Sequence, residues 1–352
     1  MTRDELEKQI DANEPIRKLS LAGIDLSHGA LLGGMFEEVD FTGVDLRGAS
    51  LEHASLVSCN LSHAVLDDAD LAEANIIECD LTGASLNTSR AGRTKFLKSN
   101  LTEASLVRAY LVSAAFLNCN LSYASVAGVR FERATVAECT TTGIDLSGTE
   151  WHRGILLNAD LREARLDGAR FFRSTLIGAN FAGRALPGFG LAACLLNGAD
   201  FSNCDLTGAD FTQCMLIGAK LTGARLTGAR LARAVLTGAL MAGADLTEAD
   251  LTQAIMLDAD ATGAVFTDAT LYQTTATRLN APDSRFTNAD LRNADFSHAI
   301  LDRADLAGVT FDRTNLHAVS ETDARIPSRS GALATDPDRT KAETWHQRSL
   351  AC

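Results

Sequence analysis

A solenoid that turns a corner every five residues is the fold class this 352-residue chain predicts, and three observations predict it. Counted in steps of five from Leu21 to Leu316, 55 of 60 positions are Leu, Phe, Ile, Val, Met or Trp, and the register never slips. Two residues before each large residue the chain is small, with Ala at 32 of the 59 positions from Ile24 to Thr314 and Cys at seven more. A period of five matches neither the 3.6 of a helix nor the 2 of a flat strand, so the backbone must bend once per unit.

The unit is plain in Ala199-Asp200-Phe201-Ser202-Asn203 followed by Cys204-Asp205-Leu206-Thr207-Gly208. This pattern resembles the pentapeptide-repeat family, A(D/N)LXX, and the resemblance runs from residue 21 to residue 320. It implies an all-β fold, a right-handed quadrilateral parallel β-helix with four pentapeptides per coil and about 15 coils. At a strand spacing of about 4.8 Å such a helix would be roughly 70 Å long. The large central residue and the small one before it would both point into a narrow bore. Of the 15 Phe, 13 occupy the central position, and Phe172 and Phe189 do not.

Residues 1–20 read as a capping helix and lead-in. Thr2-Arg3-Asp4-Glu5 has the form of a capping box, Leu6 and Ile10 share one helical face, and Pro15 ends the helix. Such a helix would cover the first open edge of the solenoid. Residues 21–320 form the repeat, counted as one elongated domain. Residues 321–352 lose the repeat, carry Pro327 and Pro337, and read as an irregular tail or partial cap.

Composition excludes several classes. No apolar run reaches the length of a membrane span and the first residues lack the apolar core of a signal peptide, so a cytoplasmic protein without membrane attachment is expected. The eight Cys could suggest disulfides or a metal, but Cys59, Cys79, Cys119, Cys139, Cys194, Cys204 and Cys214 all fall at the small inward site, where Cys is a compact apolar filler. Residues 20 apart stack on one face, so Cys59 and Cys79, Cys119 and Cys139, and Cys194 and Cys214 are expected neighbours. Cys352 in the tail is the one that reads as free to react.

Nothing reads as catalytic. Asp recurs just before the central residue, as at Asp40, Asp80, Asp205 and Asp245; the same residue in the same slot of many units is a corner device. The six His within the repeats read as outward and unpartnered. Gly closes many units, as at Gly208 and Gly228, where a tight corner explains it. No enzyme, no cofactor and no metal site are expected.

The net charge is −13, and the repeats alone carry 23 basic and 35 acidic residues. Direct nucleic-acid binding is therefore not expected. Some pentapeptide-repeat proteins mimic the DNA backbone to protect DNA gyrase, and an acidic rod suits that role. Stacking at a spacing of 20 sets Arg225 between Asp205 and Asp245 and Arg230 between Asp210 and Asp250, which would interrupt such a mimic.

Four stretches keep the register but lose the residue types, and they are the candidate sites of bending or binding: around Ala91, around Thr141, from Arg184 to Gly190, and from Thr275 to Ser284. Arg184 and Phe189 are too large for a site sized for Ala, so this segment is expected to bow outward. Tyr110, Phe172 and Trp345 are aromatic residues placed to anchor a partner. The candidate partner contacts are Phe172, Arg184, Phe189 and Trp345.

The N-terminal helix, the long unbroken repeat and the tail from Thr335 to Trp345 also resemble pentapeptide-repeat proteins associated with bacterial type VI secretion clusters. That resemblance implies a non-catalytic adaptor binding an effector or secretion component. The alternatives are a DNA-mimicking modulator of gyrase or topoisomerase and a structural repeat protein. A protein partner is expected in the first two, and a homodimer is compatible with the sequence.

Overall fold

The computed structural model describes residues 1–350, with side chains described through residue 344. Trp345 and Cys352, singled out above, therefore lie outside the described side chains. No described helix is long and apolar enough to cross a membrane.

The pentapeptide accounts for every backbone donor it contains, as the unit around Leu206 shows. The N–H of Asp205 donates to the carbonyl of Arg184, those of Leu206 and Gly208 donate to Arg225 and Thr227 in the next coil, and that of Ala209 closes a turn on Leu206. The fifth donor, Thr207 N–H, would be orphaned, and it donates to the Asp205 carboxylate at 3.2 Å. Here lies a reason for the Asp or Asn that recurs before the central residue: that side chain satisfies the donor the ladder leaves over. At Gly208 the backbone turns with φ +66, the left-handed corner where Gly is unstrained.

Each residue thus pairs with the residue 20 positions on, and the chain is an all-β parallel solenoid of the pentapeptide-repeat type. In-register stacking forces like side chains together: the rings of Phe96 and Phe116 stack 4.6 Å apart and nearly parallel, as do Phe266 and Phe286 at 4.7 Å. These spacings are the strand spacing itself. Leu, Phe and Ala fill the bore almost without exposure. A fully buried Leu or Phe contributes about 1.5–3 kcal/mol, and neighbouring coils supply that burial.

The chain divides into two compact units, Met1–Asn180 and Phe181–Cys352. The boundary falls beside the pentapeptides in which Arg184 and Phe189 replace the small residue.

The first unit begins with α1 (Arg3–Asp11). Its capping box is complete, and Leu6 and Ile10 are buried. Arg3 donates to the carbonyls of Ser27 and His28 at 2.9 Å each, and Glu7 accepts the Ala30 N–H at 3.0 Å, so the helix is fastened over the first coil. Eight short strands then form one parallel sheet: β1 (Ile16–Arg17), β2 (Met35–Glu37), β3 (Ser55–Val57), β4 (Asn75–Ile77), β5 (Lys95–Leu97), β6 (Ala115–Leu117), β8 (Thr135–Ala137) and β10 (Ile155–Leu156). A neighbouring face carries β7 (Arg130–Glu132), β9 (Glu150–His152) and β11 (Arg170–Phe172), with β9 in the middle.

The second unit is built from isolated bridges of the same register, and its end departs from expectation. Residues 321–344 are not an irregular tail. Bridging continues to Arg325, β13 (Ala332–Leu333) pairs with β12 (Thr314–Asn315), and α2 spans Pro337–Leu350. Pro337 is the first residue of this helix rather than a breaker. The Asp336 carboxylate accepts the N–H groups of Asp338 and Arg339 at 2.8 and 3.2 Å, an N-cap that tolerates Pro in the position after it.

Arg184 to Gly190 keep their ladder to the following coil, with Asp205 N–H on the Arg184 carbonyl and Asp210 N–H on that of Phe189. The expected outward bow is absent there. Phe189 is 8 % exposed and its ring meets Phe181 edge-on at 6.1 Å, so the bore takes in the extra ring instead of expelling it.

Candidate interaction surface

The recurrent carboxylates serve the backbone. Asp40 accepts both the N–H and the hydroxyl of Thr42, which hold its carboxyl below the usual carboxylate range; Asp205 is lowered by Thr207 in the same way. Where a carboxyl departs from its ordinary value among the described residues, it is lowered, the reverse of what a general acid needs. The inward cysteines donate to carbonyls, as Cys204 Sγ does to Phe181 and Cys214 Sγ to Leu191, and burial pushes both thiols up. The Cys119 N–H approaches the Cys139 sulfur at 3.4 Å, the neighbour spacing expected of that pair.

Three His depart from the expected lack of partners: His53 lies 3.6 Å from Glu52 and 3.5 Å from Glu73, and His298 and His317 both meet Glu343. His317 is almost fully buried, and it converges with His298 and Glu343. Glu343 in α2 contacts Nε2 of both rings, at 3.3 Å for His298 and 3.2 Å for His317. These three groups lie close enough to hold a metal ion. The hydrogen bonding opposes that use: the Asp336 N–H faces His317 Nδ1 at 3.1 Å and can only donate, so the neutral ring carries its proton on Nε2, the atom a metal would need bare. The arrangement suits a latch that fastens α2 over the last coils.

Outward positions form columns along each unit, and their chemistry differs from face to face. In the first unit the eight-stranded sheet carries an aliphatic column, Val57, Ile77, Leu97, Leu117, Ala137, Leu157 and Ile177, half-buried by mutual stacking and exposed at Ile177. In the second unit Leu195, Met215, Val235 and Ile255 form another, with Leu195 and Ile255 at 37 % and 38 % exposure. The face beside them in the first unit, made by β7, β9 and β11, is rich in arginine and bears Phe172, 42 % exposed. A third face presents amides and hydroxyls: Asn100 donates to Asp80 and Thr82, and Asn120 donates to Thr102. The acidic columns of the second unit are interrupted as expected, with Lys220 paired to Asp200 at 3.4 Å and Arg230 paired to Asp210.

Of the four predicted contact residues, the structure gives exposure to Phe172, half-buries Arg184 and encloses Phe189, while Trp345 is outside the described side chains. The ring of Phe189, turned into the bore, cannot anchor a partner. The aliphatic and arginine columns are absent from the sequence-based prediction. Reading the outward positions in steps of 20 would have found both.

The pentapeptide-repeat family model matches residues 20–56, 50–87, 99–136, 155–183, 194–232, 229–268 and 283–317. No curated protein matches the chain. Among solved structures, a trypsin-treated form of QnrB1, a plasmid-mediated fluoroquinolone resistance protein, is 21 % identical, covers 56 % of this chain and 90 % of its own, and has a TM-score of 0.37. HetL, a pentapeptide-repeat protein involved in heterocyst differentiation regulation in Nostoc sp. strain PCC 7120, is 25 % identical over 82 % of this chain and 96 % of its own, with a TM-score of 0.18. A pentapeptide-repeat protein of the Arabidopsis thaliana thylakoid lumen is 24 % identical over 35 % and 68 %, also at 0.18. With its repeat matched over well more than half its length, the chain belongs to the pentapeptide-repeat family.

Proposed function

We propose that this non-catalytic scaffold works by binding a protein partner along the aliphatic column of its first unit. The observation that carries the reading is the column itself. Ile77, Leu97 and Leu117 sit at equivalent places on adjacent strands, so apolar atoms recur about every 4.8 Å on a flat sheet whose backbone donors are already used. Apolar surface gathered in one stripe and left in contact with water favours a partner with a complementary apolar face.

Two partner classes are open to test. One is a bacterial topoisomerase, the partner that a DNA-mimicking member of the family would bind and that the net charge of −13 accommodates. The other is a component of a type VI secretion system, for which the similar proteins offer no support. Salt separates mimicry from packing: a phosphate mimic loses affinity steeply with ionic strength, whereas an apolar contact does not.

The experiment is gyrase supercoiling under a fluoroquinolone, with and without the protein, at low and moderate salt. Relief of inhibition at both salts, lost in Leu97→Asp/Leu117→Asp, supports a topoisomerase held by the column. Relief confined to low salt and indifferent to those substitutions favours the acidic surface. No relief, with no topoisomerase bound, removes that partner class.

A further inference from the structure

We propose that the arginine column of the first unit, Arg133, Arg153 and Arg173 with Phe172 beside it, binds an acidic segment of a protein partner. The proposal rests on the reading that this scaffold binds a protein, and it names the chemistry of one contact.

The three arginines occupy the same corner of three successive coils, beside β7, β9 and β11. At several corners elsewhere a basic residue is set against an acidic one of the neighbouring coil. Arg93 stacks on Glu73 at 2.8 Å, Lys98 on Glu78 at 3.2 Å, and Arg303 on Asp283 at 2.7 Å. At the corner beside β7, β9 and β11 arginine is set against arginine instead. Arg133 reaches Glu132 at 3.5 Å and Arg130 reaches Glu150 at 3.4 Å, which engages both carboxylates of the three strands. Arg153, Arg170 and Arg173 have no carboxylate partner among the described residues.

Folding does not account for this arrangement. Like charges opposed on neighbouring strands repel, and the three arginines, at φ of +56, +53 and +50, share the left-handed corner that Arg93, Arg233 and Arg303 also adopt. A chain with a net charge of −13 thus holds a local excess of positive charge at a cost to its own stability.

The surface also has shape. Arg130, Glu132, His152, Arg153, Phe172 and Arg173 line a groove of about 310 Å³. The Arg173 guanidinium lies over the Phe172 ring, 5.1 Å from its centroid, and the His152 ring meets that ring edge-on at 6.0 Å. The aromatic ring steadies the cation and offers an apolar contact next to it.

These features select the ligand. Carboxylates on alternate residues of an extended strand lie about 7 Å apart, and three arginines at strand spacing span about 10 Å, so three or four residues with two acidic side chains fill the column. Phe172 then takes an adjoining apolar side chain. Glu132 interrupts the cationic lining and Phe172 offers an apolar contact, which sets a short mixed acidic and apolar peptide above a continuous polyphosphate.

The test is fluorescence anisotropy with a fluorescein-labelled hexapeptide, Asp-Glu-Asp-Phe-Glu-Asp, titrated with the full chain at low salt. Its Asn/Gln analogue and a fluorescein-labelled 12-base-pair DNA duplex serve as competing probes. The proposal expects saturable binding of the acidic peptide, at least 10-fold weaker binding of both other probes, and at least 10-fold loss in Arg153→Asn/Arg173→Asn. Because Asn is at ease at a left-handed corner, that variant should melt no lower than the parent, so a loss of binding is not a loss of fold. Equal binding by parent and variant, equal binding of the neutral analogue, tighter binding of the duplex, or no binding up to millimolar protein would each overturn it. Leu97→Asp/Leu117→Asp should leave peptide affinity unchanged, so failure of the groove and failure of the column are read separately.

Discussion

Glu343 holds His317 from the outside: its carboxylate receives the buried ring's Nε2–H at 3.2 Å, while Nδ1 on the other edge accepts the Asp336 N–H that begins the same helix. Both ends of the first turns of α2 are thereby pinned to one side chain of the repeat. The His317 hydrogen bond, aided by Arg339 and His298, lowers the Glu343 carboxyl to about 2.

A carboxyl lowered on folding contributes stability above its unfolded value, near 4.5, and loses that contribution as pH falls toward 2. The latch should therefore hold at neutral pH and open between about pH 4.5 and 2. Hydrogen exchange in residues 332–344, corrected for intrinsic rates, should accelerate over that range, and Glu343→Gln should show fast exchange already at pH 6. Unchanged protection in the variant would mean that α2 is held by other contacts.

Corner strain offers a paired test. Gly208→Ala meets no steric obstacle but places a Cβ at φ +66, and should cost about 1 kcal/mol. Arg153→Gly relieves strain at φ +53 and removes one like charge from its column, and should stabilise by about 0.5–1 kcal/mol. Urea melts of both variants check the opposite signs.

The bore predicts a steep contrast between inward and outward positions. Phe201 is fully buried and stacks on Phe181 at 4.8 Å with Phe211 edge-on at 5.5 Å, so Phe201→Ala should cost about 3–5 kcal/mol. Leu240, 44 % exposed, should change stability by no more than about 0.5 kcal/mol when replaced by Ala. Equal effects at the two positions would contradict the assignment of inward and outward faces.

The fold was legible because one physical demand repeats. A bore sized for Leu and Ala writes itself into the chain every five residues, and Asp205 and its counterparts mark the donor each unit leaves over. The end of the chain was less legible. Whether Pro337 breaks or begins a helix depends on the Asp336 cap, and the meeting of His298, His317 and Glu343 depends on where that helix lands, which no period encodes. Phe189 misled because a large residue at a small site can turn inward when the bore has room beside Phe181. The surface columns were written at a spacing of 20, four times the unit that draws the eye. Their meaning is chemical and not periodic, since Arg133, Arg153 and Arg173 keep the register as well as any other residues.

The most direct measurement compares what the parent and Leu97→Asp/Leu117→Asp retain from host lysate at moderate salt, quantified by mass spectrometry, with matched melting curves to show that both are folded. A protein partner docked on the aliphatic column predicts at least one protein retained by the parent and depleted 10-fold or more with the variant. Identical retained sets would contradict the column as the binding surface.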